Sequence, residues 1–276
     1  MRRQAFVSVT PGRSDEEIGD RSPYHRALER ALDTAGLPIA KVNPRQACRF
    51  AEAAGKLVKT DRADAAMLAR MGEVLDLAPR PCVSQTIAEL KELHLARAAL
   101  IKDRTAAKNR AKAITLSLLE KQNKKRIADI DAKMEEIDAA IEQRIEDDLL
   151  LARRFEILLS IPGVSKVTAF ALLIEMPELG CLEGEQAASL AGLAPVQRQS
   201  GSWRGRAFIR GGRAFLRQAL YMPALVACRF NPQKAGYVRL VEAGKPAKVA
   251  IMRRMIVLAN ALLRDDRIWA EKAPCP

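Results

Sequence analysis

Residues 84–150 constrain the fold of this chain more than any other stretch. Ile127, Ile130, Met134, Ile137 and Ile141 alternate spacings of three and four, which is a heptad seam. Ile87, Leu90, His94 and Ile101 sketch a sparser version upstream. The pattern predicts two long helices with a turn near Lys121–Lys124, packed on each other or on a partner chain. Between the two seams lie Lys102, Arg104, Lys108, Arg110, Lys112, Lys121, Lys124, Lys125 and Arg126. That basic face either lies along nucleic acid or is a solvated helix surface, and the spacing does not choose between them.

The 276 residues suffice for two domains or one large one, with a formal net charge of +13 and a pI near 9.8. The excess is spread along the chain and points to a polyanion, nucleic acid before an acidic membrane. No apolar run reaches transmembrane length, and the opening MRRQAFVSVTPGRSDEE lacks the apolar core of a signal peptide. A cytoplasmic protein with no membrane partner is therefore expected. Cys48, Cys82, Cys181, Cys228 and Cys275 are scattered without a CxxC pair and read as reduced thiols. His25 and His94 are the only histidines, which leaves little material for histidine chemistry. Aromatics make up 4%, too few for a row of base-stacking rings.

Residues 1–22 are rich in charge, Gly and Ser, and are expected to be poorly ordered, with only Ala5–Val9 able to form a short strand. From Tyr24 the pattern turns helical, with Gly36 as a stop. LPIAKVNP then reads as a buried strand, and a helix is expected from Arg45 to about Ala54. Thr60 is a helix N-cap ahead of Asp61 and Asp64, which share a helix face. Two carboxylates so placed could hold Mg²⁺, or simply favour the helix N-terminus. Residues 155–169 read as helix, Ile161-Pro162-Gly163-Val164, helix. That is either a plain helical hairpin or a helix-hairpin-helix, whose Gly163 and Lys166 would meet a phosphate, with Ser165 in place of the usual second glycine.

The chemistry concentrates in Leu193–Arg217, a loop by composition. Arg198, Arg204, Arg206, Arg210, Arg213 and Arg217 load it, and no acid dilutes them. Its centre is Gln199-Ser200-Gly201-Ser202-Trp203. A small hydroxyl ringed by guanidinium groups suits attack on a phosphodiester, with bidentate contacts to the non-bridging oxygens. A basic loop that only grips phosphate has the same composition. Beyond it, Phe215–Phe230 is an apolar helix kinked at Pro223 and ended by Asn231-Pro232. Gly236–Glu242 is a short helix, and a mostly buried last helix follows Lys245. Trp269 is expected to cap the core.

These pieces together resemble the insertion-sequence transposases related to the Piv and MooV DNA invertases. The matching residues include Val42-Asn43-Pro44-Arg45-Gln46, Lys59-Thr60-Asp61-Arg62-Ala63-Asp64-Ala65, Ile161-Pro162-Gly163-Val164 and Ala191-Gly192-Leu193-Ala194-Pro195. Further matches are Ser200-Gly201, Arg204-Gly205, Ile209-Arg210-Gly211-Gly212-Arg213, Asn231-Pro232 and Gly244-Lys245-Pro246-Ala247-Lys248. The resemblance implies a RuvC-like domain of ribonuclease H fold, whose four acids in Asp-Glu-Asp-Asp order hold Mg²⁺. It also implies a C-terminal domain whose serine attacks DNA to form a phosphoserine link. A guide RNA and a homo-oligomer mediated by the long helices complete the picture. Asp61 and Asp64 match the last two acids, Ser200 the nucleophile, and Ser202 is the nearby alternative. Arg198, Arg204, Arg206, Arg210 and Arg213, with Gly163 and Lys166, are the expected nucleic-acid contacts.

The first two acids have no counterpart, since the glutamate's place falls near Gly19. The expectation is a mainly α chain. Residues 1–22 are an atypical lead and 23–83 a truncated RuvC-like remnant with an isolated strand. Residues 84–150 form coiled-coil helices, 151–269 a helical transposase domain and 270–276 a tail. Such a copy is expected to have impaired activity, or to survive as a non-enzymatic nucleic-acid-binding remnant.

Overall fold

The computed structural model describes residues 5–8, 31–32, 34–37, 39–55, 60–77, 84–197, 199–205, 207–230, 234–244 and 246–270. The chain divides into two compact units, residues 1–84 and 85–276. Helix predominates in the described residues, as the sequence pattern implies, and none of those helices is long and apolar enough to cross a membrane.

In the first unit, β1 (Ala5–Ser8) pairs in parallel with β2 (Ile39–Val42), in register from Ala5 opposite Ile39 to Ser8 opposite Val42. Parallel strands need a crossover between them. Within it Ala31, Leu32 and Thr34 are helical, and Gly36 adopts a φ of +67° where the helix stops. The strand LPIAKVNP is therefore not isolated, and the expectation that it lacked a partner is corrected: the apolar run in the lead supplies one. The other residues of the lead lie outside the described set. Ile39, Ala40 and Val42 are buried, which fixes the pair in this unit's core.

Two helices follow. In α1 (Pro44–Ala53) the Asn43 side chain accepts from the Arg45 backbone N–H at 2.9 Å, and Pro44 fills the first turn, where no N–H is needed. In α2 (Asp61–Val74) the Thr60 hydroxyl accepts from the Ala63 N–H at 3.3 Å. Met67 and Met71 form its buried face.

The second unit opens with an antiparallel pair, α3 (Gln85–Ala111) and α4 (Ser117–Glu146). Ile130 and Ile141 are buried, with Ile127, Met134 and Ile137 half-buried beside them, so the heptad seam faces α3. Ile101, read as part of that seam, is exposed instead. The turn falls at residues 112–116 rather than at Lys121–Lys124. The reason is Asn123. A polar residue among lysines reads as a turn, yet its amide is buried and donates to the Ala107 carbonyl at 3.0 Å, tying α4 back to α3. Further along, the Arg97 fork meets both carboxylate oxygens of Asp138, Arg104 pairs with Asp131 at 2.6 Å, and Arg144 reaches Glu89 at 3.1 Å.

The rest of the unit is a helical core. It comprises α5 (Leu149–Ser160), α6 (Lys166–Glu175), α7 (Gly184–Leu190), α8 (Ala214–Phe230), α9 (Lys234–Glu242) and α10 (Ala247–Arg264). Phe170 of the almost wholly buried α6 stacks on Phe155 with centroids 5.3 Å apart. Asn260 of α10 is buried with both ends of its amide bonded, accepting from the Gly180 N–H at 2.8 Å and donating to the Leu182 carbonyl at 2.6 Å. Half-buried Trp269 packs on the core, and its backbone N–H donates to the Ser160 hydroxyl at 2.7 Å.

Two measurements check this architecture. Arg97 is nearly enclosed, so Asp138→Ala leaves a buried charge without its partner and is expected to lower stability by about 3 kcal/mol in urea unfolding, with Arg97→Met restoring much of it. Burial, with a smaller push from Arg97 and an opposing pull from Asp138, lowers the His94 pKa to about 4. The unfolded chain then binds a proton between pH 6.5 and 4 that the folded chain refuses. Stability is complete above pH 6.5 and is lost as pH falls through that window. His94→Gln is expected to flatten the urea midpoint between pH 6.5 and 5.

Candidate active site on the C-terminal ribbon

The stretch Leu193–Arg217, which by composition reads as a loop, folds into a narrow antiparallel ribbon. Its strands are β3 (Pro195–Val196), β4 (Gln199–Ser200), β5 (Trp203–Arg204) and β6 (Phe208–Ile209). The outer ladder pairs Val196 with Phe208, and the inner ladder pairs Gln199 with Arg204 and Ser200 with Trp203. Gly201 and Ser202 form the two-residue turn at the tip. Gly201 has a φ of +57°, the positive first position that a tight hairpin of this hand requires. The return arm carries one residue more than the outgoing arm between the ladders, an insertion of the kind that twists and bends a ribbon.

Ladders this short do not hold themselves. The root does it. The Arg213 fork grips Glu178 at 2.8 and 2.7 Å and also donates to the Glu175 carbonyl at the end of α6. The Arg213 N–H donates to the Leu190 carbonyl at 3.1 Å. Arg217 donates to the Gly211 and Ala191 carbonyls. The two ends of the ribbon meet at bare backbone: a Cβ on Gly212 would lie 2.2 Å from the Gly192 nitrogen, and both glycines have positive φ.

The expected site residues divide accordingly. Ser200 is exposed beside the tip, and Ser202 is exposed in the turn. Arg204 and Arg210 are exposed, with no ion pair among the described residues. Arg198 and Arg206 lie outside the described set. Arg213 is half-buried and committed to Glu178, so its guanidinium is structural in this arrangement. Glu175 and Glu178 build the root with Gly192, a residue of the family motif, yet sequence reasoning passed the two acids over. Their only signal is a pair of acids three apart beside Pro177, in a half of the chain dominated by arginine.

In the turn between α5 and α6, Gly163 sits against the Pro223 carbonyl of α8. Ser165 caps α6 through the Thr168 N–H at 3.4 Å, which explains a serine where a second glycine was expected. Lys166 pairs with Glu142 at 2.9 Å, and that bond raises its pKa. The lysine is largely exposed, so the pair contributes little. In the first unit, Asp61 is exposed and Asp64 half-exposed in the first turn of α2. Among the described residues no three His, Cys, Asp or Glu side chains gather as a metal cage. Two carboxylates one turn apart still suit a Mg²⁺ ion that keeps most of its waters.

Residues 155–239, which contain the whole ribbon and its root, match the model described as the Transposase IS116/IS110/IS902 family. Residues 17–120, which contain Asp61 and Asp64, match a second transposase model, the DEDD type of IS110 elements. The pilin gene-inverting protein of Moraxella bovis is 31% identical over 242 residues, covering 83% of this chain and 73% of that protein. The chain belongs to the IS110/IS116/IS902 transposase family. The pilin gene-inverting protein of Moraxella lacunata is similar to the same extent. The insertion element IS900 uncharacterized 42 kDa protein of Mycobacterium paratuberculosis is 33% identical over 160 residues, 52% of this chain and 37% of that protein. In this family member residues 17–120 carry the candidate carboxylates and residues 155–239 the candidate serine.

The root predicts an asymmetry among glycines. Gly212→Ala forces a left-handed backbone and a clash, so a loss of about 2 kcal/mol is expected, with faster protease cleavage in residues 195–209. Gly201→Ala meets nothing within 4 Å and is expected to cost about half as much. Thermal unfolding and limited proteolysis read both.

Proposed function

We propose that this transposase cuts and rejoins DNA through a phosphoserine ester on Ser200. The observation that carries the reading is an exposed hydroxyl next to the tip of a ribbon whose root is fixed and whose surface carries Arg204 and Arg210. The Ser200 Oγ attacks the phosphorus, the Oγ–P bond forms, and one strand's P–O bond breaks. The serine proton goes to solvent or a nearby base, and the departing strand oxygen takes one up. A hydroxyl of the incoming strand then attacks the same phosphorus and releases the serine. The number of phosphate esters is unchanged throughout, so no external energy source is needed.

A serine hydroxyl is a weak nucleophile at neutral pH. The guanidinium groups of Arg204 and Arg210, joined by those of Arg198 and Arg206, offset the charge that builds on the phosphate oxygens. Asp61 and Asp64 would hold Mg²⁺, which when bound supplies positive charge to a phosphate of the DNA. A guide RNA is the second nucleic acid expected, along the basic faces of α3 and α4, and the same helices are the proposed contacts of a homo-oligomer.

Incubating the protein with Mg²⁺, RNA and element-end DNA, then denaturing it, reads the ester as a protein–DNA complex that survives detergent. Ser200→Ala is expected to abolish that complex while leaving DNA affinity unchanged, and Ser202→Ala to retain it. Survival of the complex in Ser200→Ala would place the nucleophile elsewhere. Tight binding by the unaltered protein with no complex at all would favour a non-enzymatic binder.

A further inference from the structure

We infer that Trp203 is a stacking platform for an unpaired base of the DNA beside the phosphate that Ser200 attacks. The inference rests on the reading of Ser200 given above and names what the ribbon grips.

Three observations carry it. Trp203 is 58% exposed, more than Tyr221 at 42% or Phe208 at 39%, whereas Phe155, Phe170 and Trp269 pack on the core. A large exposed indole on a basic surface is a contact surface in want of an occupant. The ring is also held in place. A Cβ on Gly205 would lie 2.4 Å from the ring's Cη2 and about 3 Å from Cζ2 and Cζ3, so the six-membered ring lies across the bare backbone of that glycine. Part of the indole is thus backed by its own strand while the rest stays open, and a ring already held loses little freedom when something stacks on it. Finally, Trp203 is the cross-strand partner of Ser200. Such partners share a face with Cβ atoms about 5 Å apart. Hydroxyl and indole therefore project together, and exposed Arg204 follows in the same strand.

A ring face beside a hydroxyl matches a base beside the phosphodiester linkage that the hydroxyl attacks. The net charge of +13 selects a polyanion over an apolar protein partner. Inside a duplex every base face is already covered by its neighbours. The occupant is therefore a base out of the stack, in a single-stranded, gapped or locally opened segment. A lone platform does not need the rows of aromatics that bind long single strands.

Full-length protein titrated with an oligonucleotide carrying 2-aminopurine in an unpaired segment, and separately with a fully paired blunt duplex, tests this. Trp203→Ala is expected to weaken binding of the unpaired substrate by about tenfold and to remove quenching of the reporter. Trp203→Phe should keep most of both, and duplex affinity should not change. The salt dependence should stay the same in Trp203→Ala, because no phosphate contact is lost. In Arg204→Gln its slope should fall by about one. Equal affinity of Trp203→Ala and the unaltered protein for the unpaired substrate would overturn the inference. So would an equal loss on the blunt duplex, which would assign the indole to the ribbon's own fold. Ser200→Ala separates the two readings. Loss of the detergent-resistant complex with unchanged Trp203→Ala binding removes the platform alone. Quenching that depends on Trp203, with a complex that survives Ser200→Ala, removes the nucleophile reading and keeps the platform.

Discussion

The grip of Arg213 on Glu178 is the interaction on which the candidate site depends. Each ladder of the ribbon is two residues long, too short to hold itself in water. Its direction is set at the root, where a two-pronged, charge-assisted contact meets a backbone approach that only Gly192 and Gly212 allow. The same arginine donates to the carbonyl of Glu175 at the C-terminal end of α6, where the helix dipole welcomes a cation. The Arg213 guanidinium ties the end of α6 and the loop after it to the start of α8, and its backbone N–H bonds the last carbonyl of α7, making a single mount for Ser200.

That mount is continuous with the long helices. The Glu175 carboxylate lies 4.0 Å from the ring of His94 on α3, and the ring in turn meets the edge of Phe215 at the start of α8. His94 is neutral near pH 7, so this contact is packing with a weak polar component rather than an ion pair. The arm of α3 and α4, held by Arg97–Asp138 and Arg104–Asp131, therefore bears on the helices that carry the ribbon's root. The ribbon and the arm therefore belong to one packed body within residues 85–276.

The elements legible in the sequence are those with a period or a cap. Ile130 and Ile141 announce their seam by spacing, and Thr60 and Asn43 announce their helices by accepting the first free N–H groups. The turn of the arm was misplaced because Asn123 carries the chemistry of a turn while its amide is spent on a buried carbonyl of the neighbouring helix. The ribbon read as a loop because two-residue strands show no alternation, although Gly201 is the turn residue that hairpin geometry asks for. Ser200-Gly201 stood out as a small hydroxyl among arginines, and the family likeness chose Ser200 over Ser202. Charge alone could not sort the arginines. Arg204 and Arg213 look alike in sequence, yet one faces solvent and the other is turned inward onto Glu178, a long-range contact that no local pattern encodes.

The most direct test is chemical. After reaction with DNA, nuclease digestion and cleavage on the carboxyl side of Arg198 and Arg204, mass spectrometry isolates Gln199-Ser200-Gly201-Ser202-Trp203-Arg204, a peptide with two hydroxyl candidates. The account predicts a nucleotide phosphate on that peptide, with fragmentation placing it on Ser200. An unmodified peptide, with the nucleotide recovered elsewhere in the chain, would contradict it.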